Sequence, residues 1–178
     1  MGDIYVGLDP SLTGFGVAAV GAGVDSTWLI KPKKSGVDRL LEISYSLADT
    51  FSDLEQGGDR IADVAVEDTV RASYASSVLG ELAGTVKMTC NTVLKGQARY
   101  PLKVPPSTLK KFATGRGNAK KLEVVLAVYK HFGKEIRDDN EADAYVLARI
   151  ASGHADTKYQ QEIQQKLRSG AFRDAHEL

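Results

Sequence analysis

Residues 4–20 read Ile4-Tyr5-Val6-Gly7-Leu8-Asp9-Pro10-Ser11-Leu12-Thr13-Gly14-Phe15-Gly16-Val17-Ala18-Ala19-Val20, and this stretch decides the fold. Ile4, Val6 and Leu8 alternate onto one face of an extended segment, and Asp9 falls on the other. Pro10 ends that strand, Ser11 to Gly14 is a turn, and Phe15 to Val20 returns antiparallel. Ser26 to Lys31 reads as a third strand. Its Trp28, the chain's only tryptophan, is assigned to the core.

Downstream the period changes. Leu40, Ile43, Leu47, Phe51 and Leu54 predict a helix over residues 38–54, stopped by Gly57-Gly58. Ile61 to Glu67 is a short strand, with Val64 and Val66 on one face and Ala65 and Glu67 on the other. Residues 73–92 read as a helix with an apolar stripe (Val78, Leu79, Leu82, Val86) and a stripe of small residues (Ser76, Gly80, Gly84) that another helix could approach closely. Gln97 to Val104 is expected to be a fifth strand, closed by Pro105-Pro106. Ser107 then suits an N-cap for a short helix through Phe112, and Asn118 one for a longer helix to His131 or Phe132. Residues 138–152 form a further helix, and Tyr159, Ile163 and Leu167 a last amphipathic one. A meander followed by βαβ crossovers predicts an α/β fold: a mixed five-stranded sheet with helices on both faces.

A chain of 178 residues, 43% hydrophobic and 26% charged, fits one soluble domain. No apolar run approaches the roughly 20 residues of a membrane span. The first residues lack a signal-peptide pattern, so a cytoplasmic protein is expected. With Cys90 as the only cysteine, an internal disulfide and a cysteine-based zinc site are both excluded. His131, His154 and His176 show no zinc-ligand spacing. The net charge of zero hides an asymmetry. Residues 87–134 hold 11 Lys/Arg against the single acid Glu123, whereas residues 1–86 hold 6 against 13. A basic middle beside acidic flanks is how a polyanion-binding surface comes to adjoin a carboxylate cluster.

Three acids stand out by position. Asp9 ends the first strand, Glu67 the fourth, and Asp143 lies early in the 138–152 helix. If the two strands are neighbours, Asp9 and Glu67 leave adjacent strand ends on the same side. Carboxylates gathered in this way repel unless one is protonated or a cation neutralises them. Oxygen ligands favour Mg²⁺ or Mn²⁺. Two such ions would suit in-line phosphodiester displacement. Taken singly, each acid has a plainer explanation: an Asx-turn at Asp9, a solvated strand end at Glu67, and helix-dipole complementation at the start of the late helix.

In combination, Gly7-Leu8-Asp9-Pro10-Ser11-Leu12-Thr13-Gly14-Phe15-Gly16-Val17 resembles the opening motif of the RuvC resolvases, Ala65-Val66-Glu67-Asp68 their second motif, and Asp139-Asn140-Glu141-Ala142-Asp143-Ala144 their last. The likeness spans residues 3–152. It implies a ribonuclease H-like fold, with 1–155 as a RuvC-like nuclease domain and 156–178 as a C-terminal helical tail. It also implies a Mg²⁺-dependent homodimeric endonuclease, with Mn²⁺ possible, that uses two ions per site to cut Holliday junctions and related branched DNA in a bacterial or phage-infected cytoplasm. Asp9, Glu67 and Asp143 would be the metal ligands. The family's fourth ligand is an Asp or His, but here Asn140 stands in that position, and Asp139 is the alternative. Lys110 and Lys121 match the lysines near the scissile phosphate, with Lys111, Arg116 and Lys120 as supporting DNA contacts. The aromatic wedge after the Glu is missing. Val70 stands near that point, and Tyr74 is the nearest aromatic.

Three other readings compete. The first motif also resembles the phosphate turn of sugar kinases and actin-like ATPases, but those need two such lobes. A ribonuclease H-like enzyme for RNA–DNA hybrids or ribosomal RNA would share the site. A junction-binding protein impaired by Asn140 would share the DNA surface.

Overall fold

The computed structural model describes residues 1–68 and 75–169. Strands β1 (Asp3–Asp9), β2 (Phe15–Gly21) and β3 (Val24–Ile30) form the meander, and β4 (Arg60–Glu67) and β5 (Leu102–Val104) complete a sheet of order β3-β2-β1-β4-β5. β1 pairs antiparallel with β2 and parallel with β4, and β4 is parallel to β5. The chain reaches each parallel neighbour through a crossover. Helix α1 (Gly36–Leu54) leads to β4, and α2 (Ala75–Val93) leads to β5. Helices α3 (Pro106–Thr114), α4 (Lys121–Phe132), α5 (Asp139–Ala151) and α6 (Lys158–Leu167) follow.

The period-2 alternation of the strands sorts the core into two layers. Ile4, Val6, Leu8, Val64 and Val66 face α1 and α2, packing with Ile43, Leu47, Phe51, Leu82, Val86 and Cys90. Ala18, Val20 and Ala65 face the other way, onto Leu109, Phe112, Val128, Tyr145, Leu147, Ile163 and Leu167 of α3 to α6. Trp28 is half-buried at the edge of the first layer. Glutamines fasten α6: buried Gln160 donates to the Phe112 carbonyl at 3.1 Å, and Gln164 to that of Ile150 at 2.9 Å.

Local differences from the sequence reading have physical causes. The expected strand over 97–104 is a 3₁₀ turn (Gly96–Arg99) and three strand residues, because only Leu102 to Val104 find a partner in β4. Helix α3 begins at Pro106 rather than after a Ser107 cap. Proline suits the first helical position, where its missing N–H costs nothing. Helix α4 begins at Lys121, not after Asn118: the Glu123 carboxylate accepts the Lys120 N–H at 2.7 Å and so sets the start. On α2 the buried stripe continues from Leu82 and Val86 to Cys90, whereas Val78 is exposed.

Candidate active site

Asp9 and Glu67 are the last residues of neighbouring parallel strands whose register runs Gly7↔Ala65, Leu8↔Val66. Both carboxylates therefore leave the same sheet edge on the same side. Asp9 is 6% exposed, and Glu67 and Asp143 are half-buried.

Asp143 arrives on α5, which lies directly on β1 and β2. The approach is close because two glycines allow it. A Cβ on Gly7 would sit 1.9 Å from the Ala144 carbonyl, and one on Gly16 would sit 2.2 Å from that of Asn140. Asp138 caps α5 by accepting the N–H groups of Asn140 (2.9 Å) and Glu141 (3.2 Å). Asn140 Nδ2 donates to the Gly14 carbonyl at 2.8 Å, and Glu141 accepts the Thr27 hydroxyl at 2.5 Å. The first turn of α5 is thus pinned to the β1–β2 turn and to β3, and this fixes Asp143 relative to Asp9.

The electrostatics are those of confined like charges. Burial first, then the charges of Glu67 and Asp143, push the Asp9 carboxyl up to about 9. Burial first, then Glu67, push Asp143 up to about 7. Glu67 is also raised, chiefly by burial, although its hydrogen bond with Asp9 and the charges of Lys110 and Lys121 pull the other way. An Asp9–Glu67 hydrogen bond needs one proton, which belongs to the pair. Among the described residues no three His, Cys, Asp or Glu side chains are drawn into one ready-made ligand shell. Asp9 and Glu67 touch, while Asp143 couples to them through its charge.

Two lysines face the cluster. Lys110, half-buried on α3, acts on Glu67 and Asp143, and Lys121, at the start of α4, acts on all three acids. Lys121 also pairs with Asp139, whose carboxyl falls below its usual range for that reason first. Lys111 and Lys120 are exposed. Arg116 is exposed and pairs with Glu123 at 2.5 Å. Tyr74 and Val70 lie outside the described residues. His131 is exposed on α4, and burial pushes the Cys90 thiol up to about 12, so it is inert packing. Sequence reasoning missed the glycine seats and the Asn140 anchor. The Gly7, Gly14 and Gly16 pattern was the available signal.

No family model matches the chain. Its sequence is 29% identical over 178 positions to a Chlamydia muridarum protein named crossover junction endodeoxyribonuclease RuvC, covering 94% of this chain and 99% of that one. Among solved structures, Thermus thermophilus RuvC in complex with a Holliday junction substrate superimposes with a TM-score of 0.63 at 22% identity, over 82% of this chain and 90% of that one. Another Thermus thermophilus RuvC structure gives 0.60 at 24% identity, over 83% and 91%. In fold, and in sequence over nearly its whole length, this chain is RuvC-like, built on the ribonuclease H-like scaffold.

Proposed function

We propose that the chain is a divalent-metal-dependent endonuclease that cleaves four-way DNA junctions and related branched DNA. The observation that carries this reading is the carboxylate pair at the ends of β1 and β4, faced by Asp143 on α5 and by Lys110 and Lys121. Buried, mutually raised carboxylates are a poor resting state without a counter-ion, and their hard oxygens suit Mg²⁺ or Mn²⁺. Asp9, Glu67 and Asp143 would hold the metal, two ions being the stoichiometry that suits phosphodiester hydrolysis. Asp139 is committed to Lys121, so Asn140, seated beside the β1–β2 turn through its Nδ2, is the better fourth ligand through its Oδ1 carbonyl. When bound, the metal supplies an activated water and Lewis-acid stabilisation of the leaving oxygen.

The chain's own residues do the rest. Burial of Asp9 and Glu67 excludes bulk water from the reacting side of the phosphate. Lys110 and Lys121 offset the charge that develops on its non-bridging oxygens. Lys111, Lys120 and Arg116 contact the backbone around it, Arg116 exchanging Glu123 for phosphate. A homodimer through the N-terminal half of α2, at Gly80 and Gly84, would present two such sites to a symmetric junction and leave its C-terminal half uncovered. Space around Gly80 and Gly84 is open, as a helix–helix approach there requires. Among the described residues no helix is long and apolar enough to cross a membrane, and a DNA substrate would be met in the cytoplasm.

An end-labelled four-way junction incubated with Mg²⁺, Mn²⁺ or EDTA, beside linear duplex, flap and RNA–DNA hybrid, tests the reading. Paired, metal-dependent nicks near the crossover are expected. Cleavage of hybrid alone would move the chain to another nuclease branch. Tight junction binding without cleavage would make it a binding module.

A further inference from the structure

The basic segment does not end at the carboxylate cluster. Its other half builds a separate groove of about 590 Å³ between the C-terminal half of α2 and the turn into β5. Lys87, Met88 and Asn91 line one side, and Arg99, Tyr100 and Lys103 the other. Among its described lining residues there is no carboxylate. Met88 and Tyr100 are 71% and 65% exposed and present a polarisable and a flat surface at the groove. The Arg99 guanidinium lies 6.0 Å from the centre of the Tyr100 ring, and its Nη2 donates to Asn91 at 3.1 Å. Its Nε is buried and has no hydrogen-bond partner. The described lining of the groove thus offers cations to an anion and no competing carboxylate.

Resting on the nuclease reading above, we infer that this groove is a second DNA site. It takes the backbone of a substrate arm beyond the scissile phosphate, with Lys87 and Arg99 on phosphates and Tyr100 against a sugar or base face. Charge complementarity selects a polyanion, and a flat ring beside cations suits a strand rather than an isolated anion. Position supports it too. Val104 pairs with Glu67 at the end of β5, and the groove opens where β5 begins. Four residues of extended chain between Tyr100 and Val104 span at most about 13 Å, a few nucleotides from the cluster. Neither Lys87 nor Tyr100 is part of the catalytic machinery.

The test is anisotropy of a labelled four-way junction in EDTA, titrated across salt for the wild type, Lys87→Gln, Tyr100→Ala and the double variant. Cleavage rates at saturating junction and sedimentation of each protein accompany it. A roughly tenfold rise in Kd for the double variant is expected. For Lys87→Gln the slope of log affinity against log salt should fall by about 0.9. Cleavage at saturation and oligomeric state should not change. Unaltered Kd and slope would overturn the inference. So would weaker binding that comes with loss of the oligomer, since the groove would then be a contact between copies. Failure of the nuclease reading looks different: the wild type itself would show no paired, metal-dependent cleavage.

Discussion

Asp9→Asn should make the metal-free protein more stable at neutral pH while abolishing cleavage, a combination expected only if the carboxylate cluster is a repulsive site awaiting a cation. The Asp9 carboxyl moves from 3.8 to about 9 on folding, by burial first and then by Glu67 and Asp143. A raised folded-state pKa means that the native protein holds the proton more tightly than the unfolded chain does. The stability this gives is fully present below about pH 4 and is lost as pH rises towards 9. At pH 7.5 the loss is at most about 5 kcal/mol, taking the gap to 3.8 at about 1.4 kcal/mol per pKa unit. Asparagine keeps the shape, donates to Glu67 without a shared proton and titrates nowhere.

Even if neighbouring carboxylates absorb half of that, about 2 kcal/mol remains, or a Tm rise of roughly 5 °C for a chain of this size. Calorimetry of both proteins in EDTA between pH 4.5 and 8 is the assay. The Tm difference should widen with pH, and millimolar Mg²⁺ should close it by stabilising the wild type alone. A variant no more stable than the wild type at pH 7.5, or a difference that does not change with pH, would refute the reasoning.

Other consequences are simpler to state. Gly7→Ala puts a methyl within 1.9 Å of the Ala144 carbonyl, so α5 must lift. Denaturant melts should show a loss of about 3 kcal/mol, and junction cleavage should fall further than stability alone explains. Lys121→Met removes a cation that acts on all three acids, so kcat should drop by about 100-fold with little change in junction Kd, as single-turnover assays would show. Arg168→Ala removes the guanidinium that bonds Asp63 (3.3 Å), Ile150 (3.2 Å) and Ala151 (2.8 Å), tying α6 to the end of α5 and to β4. Urea melts should lose about 2 kcal/mol with junction cleavage per folded molecule preserved.

The sheet was legible because its inner strands β1, β2 and β4 sort their side chains by parity onto two faces, and both faces are buried. Ile4, Val6 and Leu8 needed only their spacing to declare the α1–α2 side. Asp9 and Glu67 were legible as strand ends, and their meeting required only that β1 and β4 be neighbours, as they are. Boundaries set by one bond were not legible. Nothing in Gln97 to Val104 announces that only three residues find a partner strand, and β-propensity cannot report a partner's length. Similarly, α4 starts where Glu123 reaches back to the Lys120 N–H, three residues beyond the asparagine that capping preference favoured.

The two candidates for a fourth ligand, Asp139 and Asn140, show why spacing stops short of chemistry. Asp139 and Asn140 are successive residues on one helical turn, and spacing to Asp143 cannot choose between them, since positions three and four residues away both lie near its face. Contacts made by other elements separate them. Lys121, from α4, takes the Asp139 carboxylate, and the Gly14 carbonyl, from the β1–β2 turn, takes the Asn140 amide. Both partners are far away in sequence. The Asn140 contact depends on how closely α5 sits on the sheet, and that distance is set by the bare Cα atoms of Gly7 and Gly16. The glycines of the opening motif therefore do for the site what its carboxylates cannot. They let a helix carry Asp143 and Asn140 down to the strand ends, where, on the proposed reading, a neutral amide would add an oxygen ligand beside the three acids without adding a fourth repelling charge.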